Sequence, residues 1–360
     1  MMAHITAEES VRLRLLNFPL IVGVVYIHAF SATIDHEGVS LGPEQLNYLT
    51  DFVRILISQG LARIAVPLFF LMSGYFFFLG FTWSWRGFGQ KLAARAKTLL
   101  LPYLFWTVLV LATRFLGQGI PVVKAFFAGG GGLVADWSAY DLANAVLGFT
   151  RAPEAYHFWF IRDLILLMFL SPLIVLLLRY VAWPFLGGIF LVWITGKWPI
   201  YIPDVVGVLF FSLGSYVAMK GKSLFIFDRY GKWLVLCYIP VLLVDVIWYD
   251  APFNLCLHRC GIVIGLVAIL FGSKFILASE HLKNVLLWLS GSSFFVYAAH
   301  EPFLGIARTL AFQFLPFNWP YTLLLIYLLV PLGVVAVLVA VHSVLGAYIQ
   351  GVLRVVTGGR

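Results

Sequence analysis

Charge is scarce in this chain: Asp, Glu, Lys and Arg make up 11% of its 360 residues, less than half of the roughly 25% found in ordinary soluble domains. That shortage excludes water as the main solvent of the protein. Cysteine is scarcer still. Cys237, Cys256 and Cys260 are too few for a disulfide framework. Cys256, His258 and Cys260 stand close together, but on a helix the two cysteines share a face that His258 does not. They read as small apolar residues at a helix start, and no metal site is expected. No internal repeat is visible, which gives no support to the inverted repeats of many transporters. The first long apolar run ends without a small-residue cleavage site, so an uncleaved first helix is expected rather than a signal peptide.

What is abundant is apolar surface. Hydrophobic residues are 62% of the chain, aromatics 17%, with 12 Trp and 33 Phe, and the mean hydropathy is +0.97. A hydrocarbon core of ~30 Å takes about 20 apolar residues per helix. The expected fold is therefore all-α, a polytopic transmembrane helical bundle of about ten transmembrane helices forming a single domain over 1–360. Apolar runs bounded by Gly, Pro and charge predict helices near 15–34, 62–80, 97–116, 157–178, 180–196, 203–219, 233–249, 255–277, 285–314 and 320–347.

The net charge of +8 does not point to nucleic acid, because the Lys and Arg fall mainly between apolar runs. With the N-terminus in the cytoplasm, the cytoplasmic side collects Arg12, Arg14, Arg86, Lys91, Arg95, Lys97, Arg179, Lys220, Lys222, Arg229, Lys232, Lys274, Lys283, Arg354 and Arg360. The other side has Arg54, Arg63, Arg114, Lys124, Arg151, Lys197 and Arg259. This asymmetry predicts a multi-pass protein of the cell (inner) membrane with both termini cytoplasmic. It puts two long loops, about 35–61 and 117–156, outside. Gly129 to Gly132 in the second reads as a flexible hinge, since no strand precedes it to make a phosphate cradle.

Ionisable groups inside spans cost about 2.5–3.5 kcal/mol each on insertion scales, so each needs a partner or a task. His28 lies past the middle of the first run. Arg63 opens the second and reads mainly as a helix-end residue. His157, Arg162 and Asp163 open the fourth, and His300 and Glu301 sit midway along the ninth, with Arg308 two turns on. Arg162 and Asp163 are neighbours, point about 100° apart on a helix, and are not expected to pair with each other. On this topology the whole set shares the outer half of the membrane, as a polar cavity opening outwards would require. His28 is the natural general base, since its imidazole titrates near neutrality.

Five stretches carry a resemblance: Asn17 to His28 (NFPLIVGVVYIH), Pro67 to Tyr75 (PLFFLMSGY), Arg95 to Trp106 (RAKTLLLPYLFW), His157 to Pro172 (HFWFIRDLILLMFLSP) and Ser293 to Pro302 (SFFVYAAHEP). In their order they resemble the acyltransferase-3 family of integral-membrane O-acyltransferases. The resemblance implies transfer of an acetyl or other short acyl group from a coenzyme A thioester to a hydroxyl of an extracytoplasmic glycan or lipid-linked sugar. Acyl-coenzyme A, in the first instance acetyl-coenzyme A, would be a co-substrate, with no bound cofactor. His28 matches the family's first-helix histidine. The family often has an arginine eleven residues earlier, where this chain has Asn17; three turns, about 16 Å, separate the two positions, and Arg14 lies near the same face. The catalytic candidates are His28, with Arg162 or His300 as oxyanion or substrate partners, and the substrate-binding candidates are Asn17, Arg14, His157, Asp163 and Glu301. Arg95 and Lys97 satisfy the positive-inside rule and also suit coenzyme A phosphates. A transporter or flippase for a glycan or lipid precursor is the alternative, and a structural partner in polysaccharide export a third reading; neither accounts for the five stretches.

Overall fold

The computed structural model describes all residues except 1–4, 31–33, 37–38, 42–46, 81–83, 122–126, 128–131, 316–320 and 360. Helix α1 (Ala7–Ala29) begins at a capping box, in which the Thr6 hydroxyl accepts the Glu9 amide and the Glu9 carboxylate accepts the Thr6 amide. Its first turns are anchored by Arg12, which is 3% exposed. The guanidinium pairs with Asp228 at 2.6 Å, donates to Leu270 O and Ser273 Oγ, and lies over the Phe225 ring. Arg12, expected as a topology charge, is thus a packing residue.

A small antiparallel hairpin follows α1, Ile34–His36 against Val39–Leu41. Next comes one long helical path: α2 (Tyr48–Arg54), a π-helical stretch Ile55–Leu61, a 3-10 turn Ala62–Ile64 and α3 (Ala65–Phe78). The expected loop at 35–61 is therefore helical from residue 48. Likewise α4 (Trp85–Arg95) runs through a second π stretch, Ala96–Leu100, into α5 (Leu101–Gln118). In the expected loop 117–156 lies α6 (Ala139–Leu147), capped by Ser138 and Asp141. Gly129 to Gly131 of the glycine run fall outside the described residues.

The remaining helices are α7 (Trp159–Phe169), α8 (Ser171–Tyr180), α9 (Ala182–Thr195), α10 (Val205–Met219), α11 (Gly231–Ile247), α12 (Asn254–Ile276), α13 (Glu280–Ser290), α14 (Ser293–Phe314), α15 (Thr322–Tyr348) and α16 (Gln350–Val356). Among the described residues six helical segments are long and apolar enough to cross a membrane, and seven if the pair Tyr156–Phe169 and Ser171–Tyr180, bent by 63°, is one span. The run expected at 157–178 is this bent pair, broken just ahead of Pro172. The other expected runs coincide with α9 and α10, which are short, and with α14, which is broken at Glu301 (φ −101°, ψ 134°). The protein is an all-α polytopic membrane bundle.

Burial sorts the helices into a centre and a rim. The apolar windows of α1 and of the 48–78 path are 56% and 67% buried, while those of α5, α11, α12 and α15 are 28–39% buried and leave the rest to lipid. Helix α1 packs against the π stretch, α3, α12, α13, α14 and α15. The tightest seam joins α3 to α10. A Cβ on Gly74 would stand 2.0 Å from Phe211 O, and one on Gly214 2.0 Å from Leu71 O. In lipid, where burial of apolar surface contributes little between helices, such backbone contact is what holds neighbours together.

Candidate active site

Three histidines from three helical elements meet at the last turn of α1. His28 comes from α1, His157 from the 3-10 turn Tyr156–Phe158 before α7, and His300 from α14. Ring centroids are 5.1 Å apart for His28 and His300, 4.8 Å for His157 and His300, and 6.3 Å for His28 and His157. Tyr156 adds its ring 5.1 Å from His28. The sequence placed each of these polar side chains where burial is expensive; the structure places the three imidazoles together.

Pro302 sets the roles of two of them. A proline has no N–H to give the carbonyl four residues back, so Ala298 O is left free within α14, and it takes His157 Nε2–H at 3.2 Å. Tyr297 O takes His300 Nδ1–H at 2.7 Å, and the Tyr297 hydroxyl donates back to His157 O at 2.7 Å. A carbonyl only accepts, so these contacts fix the proton on His157 Nε2 and His300 Nδ1 in the neutral rings. The opposite nitrogens, His157 Nδ1 and His300 Nε2, are buried without a partner among the described residues. No hydrogen bond to another described residue engages His28, which leaves its imidazole free to exchange a proton.

Two cavities flank His28. One, of about 290 Å³, runs along α1 and includes Arg14, Asn17, Arg95, His28 and His157 in its wall. The other, about 690 Å³, lies beyond the last turn of α1 and includes His28, Gln59, Arg63, Trp193, Tyr249 and Asp250. Val24, His28, Val66 and Trp159 line both. These four residues are where the two cavities adjoin.

Arg162, Asp163 and Glu301 are engaged outside the two cavities, and His300 lies behind them. Arg162 does pair with its neighbour: Nε and Nη2 each lie 2.9 Å from Asp163 Oδ1, and Nη1 donates to Gly148 O at 2.6 Å. The Cβ vectors of adjacent helical residues diverge, as expected, but the long arginine stem carries its guanidinium back around the helix. Asp163 Oδ2 accepts the Asp204 amide at 2.7 Å, and Asp204 caps α10. This trio joins α7 to the start of α10, and Arg162 lines neither cavity. His300 is fully buried and lines neither cavity itself. Glu301, at the break in α14, accepts the Tyr156 hydroxyl at 3.1 Å. His258 turns away from the two nearby cysteines and meets Asp245 at 2.8 Å. Sequence reasoning missed Trp159, Gln59 and Tyr249 at the cavities and the part of Pro302; of these only Pro302, four residues after Ala298, had a signal that could be read.

Comparison with known proteins gives the family. A family described as an acyltransferase domain, acyltransferase 3, matches residues 13–342. The succinoglycan biosynthesis protein ExoH of Rhizobium meliloti (strain 1021) is 27% identical over 387 aligned positions, covering 98% of this chain and 93% of the relative. No solved structure matches the chain. With the family match spanning the bundle from α1 to α15 and the histidine junction inside it, the chain belongs to the acyltransferase-3 family and is a membrane acyltransferase.

Proposed function

We propose that the protein moves an acetyl or other short acyl group from a cytoplasmic coenzyme A thioester to a hydroxyl of an extracytoplasmic glycan or lipid-linked sugar, with His28 as general base. The observation that carries the reading is that His28 is in the wall of both cavities. A single imidazole can thus serve a donor arriving through one and an acceptor arriving through the other.

The cavity of about 290 Å³ is at the small end for ligand pockets, about 300–1,000 Å³. It suits a slender acyl-pantetheine arm, with the nucleotide left at its mouth. Arg14 and Arg95 in its wall supply positive charge for phosphates, and Arg14 takes over the task of the arginine that Asn17 replaces. The wider cavity suits a sugar ring, with Trp159 and Trp193 as stacking faces and Asp250 and Gln59 for hydroxyls. The name of the relative, a succinoglycan biosynthesis protein, supports a glycan as the acceptor class. The basic excess near Arg14 and Arg95 supports a cytoplasmic mouth for the narrow cavity and cytoplasmic termini.

Base catalysis of this kind contributes roughly 10²–10⁴-fold. His28 takes the hydroxyl proton as the acceptor oxygen adds to the acyl carbonyl, then returns it to the departing thiolate. His157 and His300, each held by a backbone carbonyl, form the packed polar surface behind it. The test is mass spectrometry of surface glycans from cells with and without the gene, complemented with wild type or His28→Ala. Loss of an acyl mass that only wild type restores is the expected result; unchanged glycan masses would sink the reading. Orientation is checked by reporters, which should report cytoplasm after Gly221 and the outer side within residues 117–156.

A further inference from the structure

We propose that Arg63 is a catalytic residue of the transfer, the cation that steadies the oxyanion formed on the acyl carbonyl. The inference rests on the acyl-transfer reading above. Arg63 lies in the 3-10 turn Ala62–Ile64, where the π stretch gives way to α3. Its Nε–H donates to Gln59 Oε1 at 2.7 Å, and Gln59 is only 5% exposed. That bond fixes the planar guanidinium at its root and leaves both terminal nitrogens for the cavity, which Arg63 lines together with His28 and Tyr249. Arg63 and His28 are within electrostatic reach of each other.

Three other arginines are engaged, while Arg259, in the wall of the same cavity, lies over the Trp193 ring. Arg162 is held by Asp163 and Gly148 O, Arg54 by Asp51 and Phe30 O, and Arg12 by Asp228. The Nδ1–H of His300 goes to Tyr297 O, and its bare Nε2 can only accept. Arg63, by contrast, has no carboxylate within ion-pair distance among the described residues. A cation held inside a membrane bundle without a counter-ion is costly. Negative charge that develops only during reaction offsets that cost in the transition state and not in the ground state, which is the condition for rate acceleration.

The step balances as follows. The acceptor oxygen forms a bond to the acyl carbon as His28 takes its proton, and the carbonyl π pair moves onto oxygen beside the Arg63 guanidinium. The pair then returns, the C–S bond breaks, and the coenzyme A thiolate leaves and takes the proton from His28. Oxyanion donors of this kind are worth about 10²–10³ in kcat.

The experiment is transfer by the purified full-length protein in lipid vesicles. Acetyl-coenzyme A is the donor, and glycan from cells lacking the gene is the acceptor. Arg63→Gln and Arg63→Met should lower kcat by about 10²–10³ with both KM values within about twofold of wild type, and Arg63→Lys should keep more of the rate than either. Size-exclusion profiles establish folding. Should the neutral variants not fold, Gln59→Met, which frees the guanidinium but keeps its charge, should still lower kcat about tenfold at unchanged KM. Wild-type kcat in these variants, or an effect confined to acceptor KM, overturns the oxyanion role. Full transfer by a folded His28→Ala protein overturns the general-base role of His28, and no transfer by the folded wild-type protein overturns the acyl-transfer reading itself, so the failures are told apart.

Discussion

The seam between α3 and α10 and the junction of α1, α7 and α14 lie in the same bundle and are built from opposite materials. At the seam, Gly74 and Gly214 bring two backbones into contact, and the flanking Phe70 and Phe211 are fully buried. At the junction three imidazoles, a proline-broken helix and two cavities share a small volume. The seam is backbone against backbone among mostly apolar side chains, while the junction leaves buried nitrogens unpartnered. Close packing supplies stability that unpartnered polar groups then draw down, a division common where activity needs a strained site.

The sharpest break of this comparison is His28→Ala, which should cost about 10²-fold or more in transfer while the folded protein persists. His28→Gln separates chemistry from packing. It keeps a polar side chain but accepts no proton at neutral pH, so near-normal transfer by a stable His28→Gln protein would rule out general-base catalysis. The seam should answer in the other way. Gly214→Ala meets Leu71 O and should destabilise by about 1–3 kcal/mol, the usual range for overpacking, with the rate per folded molecule unchanged. Thermal unfolding in detergent together with specific activity checks both halves of that statement.

Pro302→Ala is a smaller disturbance of the junction. It restores an N–H that competes for Ala298 O, loosens His157, and should lower the rate about tenfold, the equivalent of ~1.4 kcal/mol; a wild-type rate would mean that the carbonyl given up by α14 has no part in ordering the imidazoles. The smallest change is expected from Asn17→Arg, which adds charge beside Arg14 in the narrow cavity. It should keep activity and lower the KM for acyl-coenzyme A by no more than a few-fold, roughly the worth of one exposed charge contact. Loss of activity in a folded Asn17→Arg protein would give Asn17 a role of its own.

Much of the fold was legible because hydropathy marks spans directly. What hydropathy cannot mark is helix outside the apolar window. Residues 48–61 carry Asp51, Arg54 and Gln59, and residues 85–95 carry Arg86, Lys91 and Arg95, so both read as polar connections although they continue the neighbouring helices. Of the site, His28, His157 and His300 stood out one by one as costly residues, and their meeting depended on packing that no local pattern records. The Arg162–Asp163 pair was hidden for a different reason: helical geometry fixes where a Cβ points, not where a four-bond stem delivers its charge. The tautomers needed both the break at Pro302 and the turn at Tyr156–Phe158, which are far apart in the chain.

The adjoining of two cavities at Val24, Val66, Trp159 and His28 has a consequence for the cell as well as for the reaction. If water filled both chambers, the insulation of the bilayer at this point would rest on the side chains that the two chambers share, and any lapse would short-circuit the ion gradients that the membrane maintains. Two valines and an indole resist wetting, as hydrophobic constrictions in channels do. Of the four, the imidazole is the one that readily takes up and releases a proton, and on the proposed mechanism it does so only when a hydroxyl and an acyl group meet across it.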